Sequence, residues 1–258
     1  MYRGRKIIYS VEIEDLNFSY ESGFSLDNVS LKIEQNSIYA LIGNNGSGKT
    51  TLLRLLVGLL KPDFGSIKIF GEKQTRKKED LWRMRQRIGF LFQNPDDQLF
   101  APTVGEDVSF GARNLKLPEE EVKERVDWAL KSVDLMDYKN ESPFNLSWGQ
   151  KKRACLAGLL VLKPDLLILD EPFANLDFIS IKNHLEIIEA LRNDNEMTIL
   201  FTTHNLFFVE EWADEMLVLA NGKVIFEGTP KEGLTLKKVE ELIGSYNKIR
   251  ELIRKNRV

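Results

Sequence analysis

A single cysteine and two histidines among 258 residues leave this chain little of the usual material for disulfides or metal cross-links. Cys155 has no partner to pair with, and the run Ala154-Cys155-Leu156-Ala157 around it predicts a reduced, buried thiol of the cytosolic kind. Positive charge is not in excess either. With 36 Lys and Arg against 39 Asp and Glu, the formal charge is −3, so no global basic footprint calls for nucleic acid. Long hydrophobic runs are also missing. The apolar segment 154–162 falls far short of the ~20 residues of a membrane helix, and the opening Met-Tyr-Arg-Gly-Arg-Lys is followed by no apolar signal core. A membrane role therefore has to pass through a partner. Repeats, low-complexity tracts and long linkers are absent, while 43% hydrophobic content is enough for a large core and excludes disorder.

What is there begins with Gly43-Asn44-Asn45-Gly46-Ser47-Gly48-Lys49-Thr50, followed by Thr51. In this GxxxxGK(S/T) pattern the glycines let backbone N–H groups wrap a polyphosphate, while Lys49 and Thr50 open a helix beneath it. The flanks fit. Ser37 to Ile42 is a short, mostly apolar run suited to a buried parallel strand, and Thr51 to Leu60 is Leu-rich and helix-prone. Nucleotide triphosphate binding follows from this strand, loop and helix order.

Elsewhere the pattern is α/β. Val11 to Tyr20 alternates apolar and polar residues as a half-exposed antiparallel strand does, and Leu26 to Ile33 follows in the same style. Ser66 to Phe70 and Ile88 to Phe92 are further strands. From about Asn94 to Leu162 strand patterns give way to helical ones, including a helix that starts after Pro118 with Val122, Val126, Ala129, Leu130 and Val133 on one face. Buried strands return at Leu166 to Leu169 and Met197 to Phe201, with a helix from about Ile181 to Leu191 between them. Asn221-Gly222, between Met216 to Leu219 and Lys223 to Phe226, predicts a hairpin. The expected architecture is a P-loop NTPase core of RecA-like type with an N-terminal antiparallel β subdomain and an inserted helical subdomain over about 94–162. Together these form one ATP-binding domain over 1–236.

Polar residues collect where the apolar runs end. In an open parallel sheet ligands bind beyond the carboxyl ends of the strands, and four runs deliver Gly43, Gln93, Asp170-Glu171 and His204 there. Asp170 has the placement of a carboxylate that holds Mg²⁺ together with the Thr50 hydroxyl. Glu171 beside it suits a general base acting on water. The imidazole of His204 is suited to the γ-phosphate or the lytic water, and the Gln93 amide to Mg²⁺ and water. His184 lies in an expected surface helix without companion ligands and receives no role.

Taken together these motifs resemble the ATP-binding subunits of ABC transporters over nearly the whole chain. Leu146-Ser147-Trp148-Gly149-Gln150 is similar to the family signature, Ala174-Asn175-Leu176-Asp177 to the D-loop, Gln93 to the Q-loop, His204 to the switch histidine, and Tyr20 to the aromatic that stacks on adenine. The stretch Phe92 to Val104, with Glu106-Asp107-Val108 and Phe110-Gly111, resembles the ATPases of energy-coupling-factor and cobalt-type importers. An importer served by a soluble binding protein is the alternative. The resemblance implies that ATP and Mg²⁺ are bound between two ATPase subunits, identical or different. Ser147, Gly149, Gln150 and Asp177 of one subunit would then reach the nucleotide of the other. It also implies a transmembrane coupling protein, a membrane substrate-binding protein, and a place on the cytoplasmic face of the membrane.

Two features stand outside this pattern. Trp148 replaces the family's usual glycine beside bound phosphate, so either its indole points away from the ligand or one site of a heterodimer is weakened. In the tail 237–258, Val239, Leu242, Ile243, Tyr246, Ile249 and Ile253 recur at helical spacing among Lys and Arg. That predicts an amphipathic basic helix, open to packing on its own domain, subunit contact or anionic lipid.

Overall fold

The computed structural model describes residues 9–243, which fall into two compact units. One comprises the chain up to Gln74 and from Leu200 onward, the other Thr75 to Ile199. The expected helix over 237–258 lies mostly outside the described residues; its first turns, Lys237–Ile243, are helical, with Val239 buried.

In the first unit β1 (Tyr9–Ser19) pairs antiparallel with β2 (Ser25–Glu34) and with β4 (Phe64–Ile69), and β5 (Glu72–Lys73) completes the order β2-β1-β4-β5. Ile13 faces Leu31 on one side and Ile67 on the other, so the alternating apolar residues of all three strands share one buried face. The core strand β3 (Ile38–Ile42) is buried at every position, as both-faced burial of a parallel strand requires. It runs parallel to β9 (Glu215–Ala220), with Ile42 opposite Val218. β9 turns back into β10 (Lys223–Gly228) through Asn221 and Gly222, whose φ angles of 48° and 77° are the paired left-handed values a two-residue hairpin needs. α1 (Lys49–Leu56) buries Leu52, Leu53, Leu55 and Leu56, and it opens at Lys49 as the motif predicts. β8 (Thr198–Thr202), wholly buried, carries the chain back into this unit, and α7 (Leu206–Trp212) and the short α8 (Pro230–Gly233) follow.

The second unit opens with α2 (Lys78–Gln86), which buries no residue and left no apolar stripe in the sequence. β6 (Ile88–Leu91) then pairs in parallel with β7 (Leu166–Leu169) in the register Leu91 to Leu169. Between them, α3 (Val104–Asn114), α4 (Glu119–Ser132) and α5 (Trp148–Leu160) pack together, and the described elements of this stretch are all helical. Thr103 caps α3 by accepting from the Glu106 N–H, and three glutamates open α4, each arrangement complementing a helix N-terminus. Val104, Val108 and Ala112 of α3, Val122, Val126, Ala129 and Leu130 of α4, and Ala154, Leu156 and Leu160 of α5 form the helical core. α6 (Phe178–Asn195) extends the expected helix at both ends, and Asp177 caps its start.

His184, expected on a surface, is instead fully buried in α6. Its Nδ1 lies 3.0 Å from the Ser180 carbonyl, and burial pushes its pKa down to about 4. A single polar residue in a helix carries no sign of which face it occupies, so its burial was not legible in the sequence.

Candidate active site

Each unit carries part of the chemistry. In the first, the phosphate loop leaves the carboxyl end of β3 and enters α1. Gly43 has φ 153°, and a Cβ there would lie 2.1 Å from the Leu219 carbonyl oxygen, so the loop can pass β9 only as glycine. The turn closes through Ser47 N–H donating to the Asn44 carbonyl, while Gly222 N–H donates to the Ser47 carbonyl from the hairpin. Lys49 is 8% exposed, and its Nζ donates to the carbonyls of Gly43 at 2.7 Å and Asn44 at 3.2 Å, which holds the ammonium inside the loop's curve. The buried Oγ of Ser47 has no hydrogen-bond partner. A buried, unsatisfied hydroxyl in the loop that leads into a helix N-terminus fits a phosphate, which supplies the partner that the hydroxyl lacks.

Asn44, Asn45 and Gly46 are exposed at the crest, and Thr50 and Thr51 occupy the first turn of α1 with Thr50 partly exposed. Tyr20 follows β1 and stands edge-on to Phe18 at 4.7 Å, with Phe24 at 6.4 Å on its other side. His204 is exposed, two residues past β8, and Asn205 caps α7 directly after it.

In the second unit the β6–β7 register brings three expected residues to one edge. Gln93 stands exposed just beyond β6, Asp170 directly follows β7, and Glu171 comes next, the two acids only 4% and 8% exposed. Asp170 N–H donates to the Leu91 carbonyl, which continues the strand pairing into the acidic turn. Glu171 takes a left-handed φ of 49°, uncommon for a side chain other than glycine, asparagine or aspartate. The Asp170 carboxylate is a hard oxygen donor of the type magnesium prefers. Among the described residues no cluster of three or more His, Cys, Asp or Glu forms a self-contained metal cage.

The signature residues open α5. Ser147 Oγ accepts from Gln150 N–H and Gln150 Oε1 accepts from Ser147 N–H, a reciprocal capping box that fixes this helix start. Gly149 lies against α6, where an added Cβ would meet Ser180 Oγ at 2.9 Å. Trp148 takes the first helical position without a left-handed φ, so its backbone imposes no need for glycine. Its indole Nε1 is buried and lacks a partner. Asp177, expected to reach a neighbouring nucleotide, accepts from Ser180 N–H at 2.9 Å and Ser180 Oγ at 2.8 Å, and these bonds hold its carboxyl below the usual range.

Several residues that tie this unit together were not foreseen. Gln98 accepts from Phe92 N–H and donates to the Cys155 carbonyl, and Lys151 pairs with Asp96 at 2.6 Å, so the segment after Gln93 is fastened to α5 twice. Lys152 is fully buried beneath the acidic turn. Their partners are 6 to 57 positions away in sequence, beyond any local motif. Cys155 is buried as expected, and burial raises its thiol pKa far above the ordinary range.

Comparisons with known proteins agree with this arrangement. Residues 26–174 match the ABC transporter family. The chain is 43% identical over 223 residues to an energy-coupling factor transporter ATP-binding protein EcfA of Methanothermobacter thermautotrophicus, covering 86% of this chain and 71% of that one. It is 41% identical over 253 residues to EcfA of Methanocaldococcus jannaschii, covering 93% and 90%. Among solved structures, cbiO1 of Clostridium perfringens, part of the ABC transporter complex cbiONQ, superposes with a TM-score of 0.81 at 36% identity, covering 96% of this chain and 99% of that one. The ATP-binding cassette MJ0796, in a dimeric post-hydrolysis state bound to ADP and Pi, gives a TM-score of 0.77 at 26% identity, covering 85% and 98%. With its phosphate loop, acidic strand end and capped signature helix, the chain belongs to the ABC transporter family, among the energy-coupling-factor ATP-binding proteins.

Proposed function

We propose that this chain is the ATP-hydrolysing subunit of an energy-coupling-factor importer, driving uptake of a vitamin or metal ion through membrane partners. The observation that carries the reading is the register of β6 and β7, which sets Gln93, Asp170 and Glu171 at one strand edge in a chain that also holds a complete phosphate loop. In this reading the loop residues from Gly43 to Thr51 bind the phosphates and Tyr20 stacks on adenine. Thr50, Asp170 and Gln93 would hold Mg²⁺, whose charge offsets that developing on the phosphate oxygens. Glu171 takes a proton from the attacking water, and His204 donates to the γ-phosphate.

A second ATPase subunit completes each site through Ser147, Gly149, Gln150 and Asp177. The helix start at Ser147 supports anion contact there. Beside it Phe178 and Ile179, 82% and 71% exposed, offer apolar surface of the kind a closed dimer buries. For the transmembrane coupling protein the support is a groove of about 500 Å³ in the second unit, lined by Trp82, Gln86, Phe100, Phe110, Leu115 and Leu162. Phe100 and Phe110 stack edge to face at 4.9 Å while remaining largely exposed. Among the described residues no helix is long and apolar enough to cross a membrane, which is consistent with attachment through such a partner.

Glu171→Gln tests the reading. In the assembled transporter it is expected to lower turnover by ~10²–10⁴ while trapping an ATP-bound dimer. Near-normal turnover removes Glu171 from the role of base.

A further inference from the structure

One charged side chain in the second unit is buried without a part in the chemistry above. Lys152, in the second turn of α5, has no exposed surface, and its Nζ donates to the carbonyl of Glu171 at 2.7 Å and to that of Pro172 at 3.0 Å. Taking an ammonium out of water is costly, and the burial lowers this pKa to about 8 against the opposing carboxylates of Glu171 and Asp170. An aliphatic side chain of the same volume would avoid that cost.

What the ammonium does for the turn explains its presence. Glu171 sits in a left-handed conformation, which persists only where its surroundings hold it. The next residue, Pro172, has no N–H of its own to help close the turn. Two consecutive carbonyls there face the interior, where each needs a donor. Ala174 N–H closes the turn by donating to the Glu171 carbonyl at 3.2 Å, and Lys152 ties that carbonyl to the next through one buried ammonium, which fixes the direction in which the Glu171 side chain leaves the backbone. The same helix begins four residues earlier at Trp148, behind the Ser147–Gln150 capping box, and it presses Gly149 against Ser180 of the D-loop helix. One rigid element thus links the signature, the D-loop helix and the turn that carries the base.

We propose that Lys152 is a positioning residue for ATP hydrolysis, clamping the Glu171–Pro172 turn so that the aim of the Glu171 carboxylate depends on how the signature helix is seated. This rests on the assignment of Glu171 as the base.

The test uses the assembled transporter with Lys152→Met, Lys152→Gln, Glu171→Gln and the double variant Lys152→Met/Glu171→Gln. Lys152→Met should lower kcat by ~10- to 100-fold, the loss expected for hydrogen bonds from a charged donor, with KM for ATP changed less than ~3-fold. Lys152→Gln keeps an N–H donor and should recover at least ~3-fold of that loss. In the Glu171→Gln background Lys152→Met should lower the residual rate no further, because the group it positions is already gone. A kcat within ~2-fold of wild type in a folded Lys152→Met protein overturns the proposal, as does an equal loss in both backgrounds. If Lys152→Met does not fold, Lys152→Gln decides alone: a kcat ~3- to 10-fold below wild type at unchanged KM supports the clamp, and an unchanged kcat refutes it. Full turnover by Glu171→Gln sinks the assignment of the base itself. An inactive Glu171→Gln beside a fully active Lys152→Met sinks only the clamp.

Discussion

The phosphate loop and the acidic turn are opposite in construction. The loop of the first unit is shaped by what its residues lack: a Cβ at Gly43 would lie 2.1 Å from the Leu219 carbonyl oxygen, and its φ of 153° is one that side chains rarely adopt. The turn of the second unit is shaped by what is added to it. There a glutamate is kept in a left-handed conformation, and a buried lysine 19 positions earlier holds the carbonyls in place. A backbone cradle has only to bind a polyphosphate of fixed shape, so local conformation suffices. A general base has to be aimed within hydrogen-bond reach of its water, and aim needs support from outside the turn.

Removing the feature each region relies on should have different consequences. The largest effect is expected from Gly43→Ala, which pushes a methyl into the Leu219 backbone and should weaken ATP binding by at least ~100-fold, equivalent to the ~3 kcal/mol of strain that such backbone positions store. Titration with a labelled nucleotide measures this. Retained affinity would mean that the loop adapts and that its shape is not set by this contact. The loss at Lys152 described above should instead fall on kcat with affinity preserved.

A smaller effect, on stability alone, is expected from His184. Its pKa falls from 6.5 to about 4 on burial, so the unfolded chain binds the proton more readily than the folded one. The stabilisation is therefore complete above pH 6.5 and is lost as the pH falls toward 4, by a total on the order of 3 kcal/mol. Lys152 and Arg153 face the ring and oppose its charging in the same direction. Thermal unfolding across this range should show a steeper acid loss for the wild type than for His184→Asn, which keeps a donor near the Ser180 carbonyl. Parallel curves would show that the imidazole is not buried in its neutral form.

The same contrast decides what the sequence disclosed. The phosphate loop, the strand leading into it and the Asn221-Gly222 hairpin were legible because each depends on residues adjacent in the chain. The order of Gln93, Asp170, Glu171 and His204 after apolar runs located the strand ends, and the β6–β7 register then placed Gln93 beside the two acids. Ser147 and Gln150 were foreseen as ligands of a neighbouring nucleotide, yet within the chain they cap α5. Asp177 likewise caps α6. Lys152 and His184 stayed hidden because burial of a polar side chain on a helix is set by which neighbours pack against it, and no periodicity records that. Helix α2 stayed hidden for the reverse reason, since it buries nothing and leaves no stripe.

The most direct measurement is equilibrium binding of ATP with magnesium by the chain, alone and mixed with its ATPase partner, followed by release of phosphate in the assembled complex. Saturable binding that Lys49→Ala abolishes, with hydrolysis that Glu171→Gln stops, is the predicted result. Failure to bind magnesium ATP in either setting, or hydrolysis indifferent to both substitutions, would contradict the account at its centre.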